Sequence, residues 1–348
     1  MSRIRGKVTI QDIADMSGVS KFAVSRALSG KSGVSAQTRE MILKTAGELG
    51  YFKLNEPPGP AGELREYDDG KRQGMIVVLF PNIRYQNKES AYWGAVFDGV
   101  SARLGQRGLD IMTLTEPSGD HLFTLLKPEA IQGIVTIGEI STQILLDIAR
   151  MDIPVVMVDH SDPAFHCDTI FTDNFSSMRE LVTKLVSKGY RRFQFVGNIK
   201  DAPSFFDRWL AYRTVLESYQ IALNQEPELI GSDAGDMYAL FSKWKPKELP
   251  EVFVCSHDAN ARYLIEELRK QHFDVPRDCV VTGFDNTCDT HPILGTVNVD
   301  KELLGMRAVD QLLWRILNRG PAVERKLIYG DVIVRDMYGS PQTNSPVS

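Results

Sequence analysis

Polar groups in this 348-residue chain stand where short apolar runs end: Asn82 after MIVVLFP, Asp159 and His160 after PVVMV, Asn198 after RFQFVG, His257 and Asp258 after EVFVCS, and Asp285 with Asn286 after VVTGF. Carboxylates, amides and an imidazole gathered this way can hydrogen-bond a small polar ligand. They can equally cap the helices that follow, since Asp and Asn favour that place. Bond-making chemistry is not indicated, because no G-x-S-x-G elbow, Walker loop or dinucleotide glycine fingerprint follows any of the runs. No enzyme and no cofactor are therefore expected. His160, His166 and Cys167 lie close together in sequence, but no second cluster has ligand spacing, so no metal site is expected. The four cysteines (Cys167, Cys255, Cys279 and Cys288) fall singly and read as structural thiols of a reducing compartment.

The elements that must hold these groups follow from the rhythm of the chain after Gly74. MIVVLFP (75–81), LDIMTLT (109–115), GIVTIG (133–138) and PVVMVD (154–159) read as buried strands with amphipathic segments between them. A second set, RRFQFVG, EVFVCSHD and VVTGFD, is interleaved with helices near 174–188, 204–219, 258–271 and 300–318. Alternation of this kind predicts parallel sheets with helices on both faces. Two sets imply an α/β domain of two doubly wound lobes with a crevice between them, and ligands in such sheets sit beyond the carboxyl ends of the strands. With 43% hydrophobic and 24% charged residues the composition is that of a globular protein. There is no run of eighteen apolar residues and no secretory signal pattern, so a cytoplasmic, nucleoid-associated protein without a membrane partner is expected.

The amino end has a different chemistry. Residues 1–53 hold nine Lys/Arg and four Asp/Glu, while the rest of the chain holds 31 against 41. Thr9 before IQDIADMS, with Asp12 three residues on, predicts a capped helix that Gly18 ends. Ser20 caps a second helix, KFAVSRALS, with Val24 and Leu28 inside and Lys21, Phe22, Ser25, Arg26 and Ser29 outside. Ser35 opens a third, with Met41, Ile42, Thr45, Ala46 and Leu49 at helical spacing and Gly50 as the stop. Three short helices with cationic and hydroxyl groups on the second fit a small all-α helix-turn-helix headpiece, whose second helix would enter the major groove of double-stranded DNA. Thr9, Ser20, Ser25, Ser35 and Thr38 can bond phosphates, and Arg26 has the fork suited to guanine O6 and N7. The same hydroxyls can instead serve only as helix caps, with Arg26 a solvated surface residue.

The stretch VTIQDIADMSGVSKFAVSRALSGKSGVSAQTREMI resembles the headpiece of the lactose and galactose repressor family. The family pattern is T-x-x-D-[VI]-A-x-x-[AS]-G-V-S-x-x-T-V-S-R, a loop ending V-S-x-x-T-R, and a helix closing on L-[GN]-Y. Thr9, Asp12, Ile13, Ala14, Gly18, Val19, Ser20, Val24, Ser25, Arg26, Val34, Ser35, Thr38, Arg39, Leu49, Gly50 and Tyr51 match it. The resemblance implies base reading by Lys21, Phe22 and Arg26 and adds Tyr51 to the DNA-binding set. Phe22 departs from the polar residue usual there and offers only apolar contact, for instance to a thymine methyl. The family continues into a hinge helix whose leucine wedges into the minor groove. Here the chain reads FKLNEPPGPAGELREYDDGKRQ, in which Pro57, Pro58 and Pro60 oppose a helix and residues 54–73 carry five acids against three bases. A flexible tether and a short helix with Leu64 as the wedge both remain open.

The resemblance extends over nearly all of 74–338, where the family's effector domain looks like a periplasmic sugar-binding protein. It runs through Tyr92 and Trp93, V-x-V-D at Asp159, R-x-x-A-Y at Arg208, Ala211 and Tyr212, G-F-D-N at 283–286, and a closing strand ending VIVRD. It implies that Arg208 and Asp285 grip polar ligand groups, joined by Asp159, with an aromatic face stacking on a ring. Tyr92 and Trp93 can instead be core residues of an amphipathic helix, and Asp258 a helix cap. His257 stands where relatives carry asparagine and Met237 where several sugar binders carry tryptophan, so an unusual ligand is expected.

The expected organisation is a headpiece over 1–53, an atypical hinge linker over 54–73, a two-lobed effector and dimerisation domain over 74–340, and a disordered tail over 341–348. The expected function is a homodimeric transcriptional regulator, in the repressor manner. It would bind a pseudo-palindromic operator under the control of a small carbohydrate effector, a sugar or amino sugar derivative, held by Tyr92, Trp93, Asp159, Arg208, His257 and Asp285. The alternative is a ligand sensor that has lost operator binding and acts through protein contacts.

Overall fold

The computed structural model describes residues 8–52, 75–80, 90–115, 128–231, 237–246, 248–320 and 322–335. The linker 54–73 with Leu64, Asn82, and the tail 341–348 lie outside the described residues.

Local signals account for the first three helices. Helix α1 (Ile10–Ser17) begins with a reciprocal capping box: Thr9 Oγ1 accepts from the Asp12 amide at 3.3 Å and Asp12 Oδ2 accepts from the Thr9 amide at 2.8 Å. The Thr9 hydroxyl and amide bonds hold the Asp12 carboxyl below its ordinary value. Gly18 closes α1 at φ +68°, a conformation without steric penalty only for glycine. Ser20 caps α2 (Lys21–Leu28) through the Ala23 amide, and Ser35 caps α3 (Ala36–Glu48) through the Thr38 amide. Their shared core is Ile13, Ala14, Val24, Ala27, Ile42 and Ala46. Two positions differ from expectation. Ala27 is buried more deeply than Leu28, and Met41, expected inside, is 40% exposed while Leu43 is 2% exposed. Helix α3 thus carries a second buried stripe that the headpiece alone does not require.

The remaining elements fall into two compact units, the first completed by 301–326 and the second by the segment from Leu327 onward. In the first unit, β1 (Met75–Phe80), β2 (Ile111–Thr115), β3 (Ile131–Ile137), β4 (Val155–Val158), β5 (Asp168–Thr172) and β10 (Arg325–Ile328) form a sheet ordered β10-β5-β4-β3-β1-β2. Strands β1 to β5 pair in parallel. Continuous apolar runs such as MIVVLF and VVMV are buried on both faces, as helix-covered parallel strands must be. The chain reverses direction across the sheet at β1, which has β2 on one side and β3 on the other. Helices α4 (Trp93–Gln106) and α5 (Thr142–Ala149) belong here.

So does the helix near 300–318, which the sequence places with the second set. Helix α10 (Lys301–Leu317) packs against α4 because two glycines allow their backbones to meet. A Cβ on Gly99 would lie 2.1 Å from the Glu302 carbonyl oxygen, and one on Gly305 would lie 2.1 Å from that of Val96. The end of α10 is tied to β5 by Asp168, which accepts from Arg315 Nη2 at 2.6 Å, Arg315 Nε at 2.8 Å, Gln311 Nε2 at 2.6 Å and the Glu324 amide at 2.8 Å. Burial opposes ionisation of Asp168, but these donors outweigh it and hold the carboxyl below its ordinary value.

In the second unit, β6 (Phe193–Val196), β7 (Val252–Cys255), β8 (Val280–Thr282), β9 (Ile293–Asn298) and β11 (Asp331–Val334) are ordered β11-β9-β8-β7-β6. The sheet is parallel except for β11, which runs antiparallel to β9 and so departs from the all-parallel expectation. Helices α6 (Asn174–Ser187), α7 (Pro203–Ser218), α8 (Met237–Lys243) and α9 (Asp258–Lys270) complete it.

Candidate DNA-binding and ligand-binding sites

On the headpiece, α2 presents Lys21, Phe22 and Ser25 to solvent, with Phe22 68% exposed. Phe22 stands in the first turn of the helix and is not part of the headpiece core. The Arg26 guanidinium carbon lies 5.2 Å from the Phe22 ring centroid, and Arg26 Nε donates to the Ser32 carbonyl at 2.5 Å. The planar fork is thereby held on the same face as Phe22, with one of its donors already used. Arg39 donates to the carbonyls of Ala27 at 2.9 Å and Lys31 at 2.5 Å and so braces the turn behind α2. Of the predicted hydroxyls, Thr9, Ser20 and Ser35 are caps, Thr38 bonds Ser35 Oγ at 2.7 Å, and Ser25 is exposed. Tyr51 packs on the headpiece core, edge-on to Phe52.

The predicted ligand residues gather in two sets, one in each unit. In the first unit Ser90 Oγ accepts from the amides of Tyr92 and Trp93, both at 3.3 Å, and so starts α4 at this point. The rings of Tyr92 and Trp93 meet edge to face at 4.8 Å, and the Tyr92 hydroxyl donates to Asp159 Oδ2. Both aromatics are half-buried. Asp159 follows β4 at φ +52°, an uncommon conformation for a residue with a side chain.

In the second unit Arg208, buried on α7, is held on every side. Its Nε donates to Asn174 Oδ1 at 2.9 Å, its Nη1 to the Ser256 carbonyl at 2.5 Å and its Nη2 to Asp285 Oδ1 at 3.2 Å. The guanidinium carbon lies 3.6 Å from the Phe284 ring centroid. Asp285 follows β8 at φ +90° and Asn286 at φ +50°, another pair of uncommon conformations at a strand's carboxyl end.

His257 belongs to the same set and caps α9 by accepting from the Asn260 amide at 3.3 Å. Its ring lies 5.2 Å from that of Phe205. Burial lowers its pKa to about 4, Asp285 opposes the shift and Arg208 adds to it, so the imidazole is neutral near pH 7. Asp258 is not the cap expected of it. It is fully buried one residue later and accepts from the Thr287 amide at 2.7 Å, the Cys288 amide at 3.2 Å and Thr296 Oγ1 at 2.8 Å. Burial, and then Asp285, raise it to about 6 against those three donors. Gly283 makes this possible, since a Cβ there would lie 2.0 Å from Asp258 Oδ1.

Met237 packs on the core beside α9. His160 is buried, and Cys167 donates its thiol to the Asp168 carbonyl. Among the described residues no group of three His, Cys, Asp or Glu could hold a metal ion. Nor, among them, is any helix long and apolar enough to cross a membrane. Sequence reasoning missed Asn174, Ser256, Phe284 and Phe205, which orient Arg208 or His257. Asn174 follows the Asp173 cap inconspicuously, and Ser256 acts through its backbone.

Residues 9–53 match the model of bacterial regulatory proteins of the lacI family, and residues 182–336 match that of a periplasmic binding protein-like domain. The chain belongs to the lacI family. Among its lacI-family relatives, the HTH-type transcriptional regulator MalR of Streptomyces coelicolor is 28% identical over 331 residues, covering 88% of this chain and 90% of its own. The HTH-type transcriptional repressor PurR of Histophilus somni is 24% identical over 340 residues, covering 94% and 98%. The fold is shared with a complex of the transcriptional regulator CelR with cellobiose (TM-score 0.65, 20% identity, covering 94% of this chain and 99% of that one). It is also shared with the lac repressor dimer bound to operator and the anti-inducer ONPF (TM-score 0.59, 22% identity, covering 95% and 98%). This lacI-family chain is thus a DNA-binding transcriptional regulator with a ligand-binding domain, and not an enzyme.

Proposed function

We propose that this regulator is a cytoplasmic homodimer that binds a pseudo-palindromic operator and responds to a carbohydrate-class effector. The carrying observation is the pair of preformed polar sets: Tyr92, Trp93 and Asp159, and Arg208, His257 and Asp285. Carboxylates and a guanidinium pair with vicinal hydroxyls through two hydrogen bonds at once, and an aromatic face covers the apolar side of a sugar ring. That solved relatives of this fold were captured with cellobiose and with ribose is consistent with this reading. On the headpiece, Lys21, Phe22, Ser25 and Arg26 form the base-reading face, and Thr9, Ser20, Ser35, Thr38 and Tyr51 set its geometry.

The reading is tested by sequencing random DNA retained by the full chain at near-physiological salt, followed by thermal-shift screening of mono- and disaccharides against the wild type and Asp285→Asn. A pseudo-palindrome and a sugar whose shift Asp285→Asn abolishes are expected. Sugar binding without any enriched site would favour the sensor acting through protein contacts. An enriched site with no sugar response would overturn the effector assignment.

A further inference from the structure

Helix α3 has two buried faces. Arg39, Ile42 and Ala46 turn toward the headpiece, as its hydrogen bonds and core show. Glu40, Leu43, Lys44 and Gly47, one turn apart along the other side, face the first unit's sheet domain. Glu40 Oε1 accepts from the Thr142 amide and from Thr142 Oγ1, both at 3.0 Å. Thr142 opens α5, so the Glu40 carboxylate sits at a helix amino terminus, where free N–H groups and the helix dipole favour an anion. Thr142 Oγ1 also lies 2.6 Å from Asp162 Oδ2, and Asp162 Oδ1 accepts from the Ala164 amide at 2.7 Å. Lys44 Nζ approaches Glu139 Oε1 at 3.7 Å.

Gly47 shows that the sequence is adapted to this contact. Glycine weakens a helix interior, and this one lies within α3. Its place is explained by the neighbour: a Cβ at Gly47 would stand 2.3 Å from the Ala164 amide nitrogen and 2.4 Å from the Pro163 carbonyl carbon. Leu43, Thr142, Asp162 and Ala164 are all buried. On the reading face of α2, Lys21, Phe22 and Ser25 stay exposed, with Phe22 at 68%, and Arg26 is half-buried, so the contact leaves the headpiece free to meet DNA.

We propose that α3 is the joint through which this regulator couples its effector domain to DNA. The Glu40–Leu43–Gly47 face, seated on the start of α5 and the 162–164 turn of its own chain, fixes the direction in which α2 points. The proline-rich, acidic linker then need only tether. This inference rests on the operator-binding reading above. It differs from it in locating the coupling in a packed contact between folded parts.

The test uses the full chain with Gly47→Ala, which places a methyl group against the Ala164 backbone while improving α3 as a helix, and with Glu40→Gln, which keeps the shape and removes the charge. In the absence of DNA, amide exchange at 140–144, Asp162 and Ala164 should quicken by about tenfold or more in Gly47→Ala, and less in Glu40→Gln. Exchange within α1 and α2 should be unchanged, which shows that the headpiece remains folded; if Gly47→Ala unfolds it, Glu40→Gln decides. Affinity for the selected operator should fall by about tenfold, with non-specific affinity and its salt dependence unchanged. Unchanged exchange in both variants, or faster exchange with unchanged operator affinity, overturns the proposal. A wild-type chain that selects no operator overturns the operator reading itself, and the joint as a route to DNA falls with it.

Discussion

Arg208 Nη2 lies 3.2 Å from Asp285 Oδ1, with the arginine side chain 4% and the aspartate 14% exposed. A charge pair this deep is worth little net stability over apolar residues of the same shape, but removal of one partner leaves the other buried and uncompensated. Under the proposed function the pair is a site component held ready.

Arg208→Met should destabilise the protein by about 3–5 kcal/mol, because it strands Asp285 and empties the acceptors Asn174 Oδ1 and Ser256 O. Asp285→Asn, which keeps the volume and neutralises the charge, should cost less. Urea unfolding of the two variants side by side checks the order, and equal losses would mean that the guanidinium has no need of the carboxylate.

His257 and Asp258 pull stability in opposite directions with pH. His257, depressed to about 4, is protonated more readily in the unfolded chain, so its contribution is present above the ordinary histidine value and is lost as pH falls toward 4. Asp258, raised to about 6, ionises more readily in the unfolded chain, so stability declines as pH rises from the ordinary carboxylate value toward 6. Between pH 4 and 6 the two oppose each other. In His257→Gln the Asp258 slope stands uncovered, and urea midpoints across this window should fall with rising pH more steeply than in the wild type.

Gly305→Ala should destabilise the first unit by about 1–3 kcal/mol, since the new methyl group meets the Val96 carbonyl oxygen at 2.1 Å and α10 must move away from α4. Gly320→Ala, where nothing lies within 4 Å of the new atom, is the control. Thermal unfolding separates them.

Thr9→Ala distinguishes cap from phosphate contact. As the capping box implies, it should cost the headpiece about 1 kcal/mol. Affinity for non-specific DNA should stay as it was under conditions where the headpiece remains folded. Affinity lost on all sequences alike, at an unchanged salt slope because a neutral hydroxyl displaces no counterion, would make Thr9 part of a phosphate contact.

Much of this architecture is readable from local chemistry. The caps at Thr9, Ser20 and Ser35 and the unbroken apolar runs of β1, β4 and β7 owe their form to neighbours in the chain. The same holds for the strand-end positions of Asp159, His257 and Asp285. What sequence does not disclose is set at a distance. Helix α10 belongs with β5 because Arg315 and Gln311 reach Asp168, a partner well over a hundred residues away. Leu43 is buried and Met41 exposed because α3 has a second surface to cover, which a helical wheel of the headpiece alone cannot show. Asp258 looks like a cap in sequence. It becomes a raised, buried acid through the 287–288 backbone and the space left by Gly283.

The exposed Phe22 ring bears on how the proposed operator is told from other DNA. A phenyl group displaces no counterion, so whatever discrimination it supplies is invisible to changes in ionic strength. It will instead appear in the temperature dependence of the binding enthalpy, as the negative heat-capacity change that accompanies loss of apolar surface from water. A repressor reading one base this way keeps that part of its selectivity when intracellular salt rises, while the share carried by Lys21 and Arg26 declines.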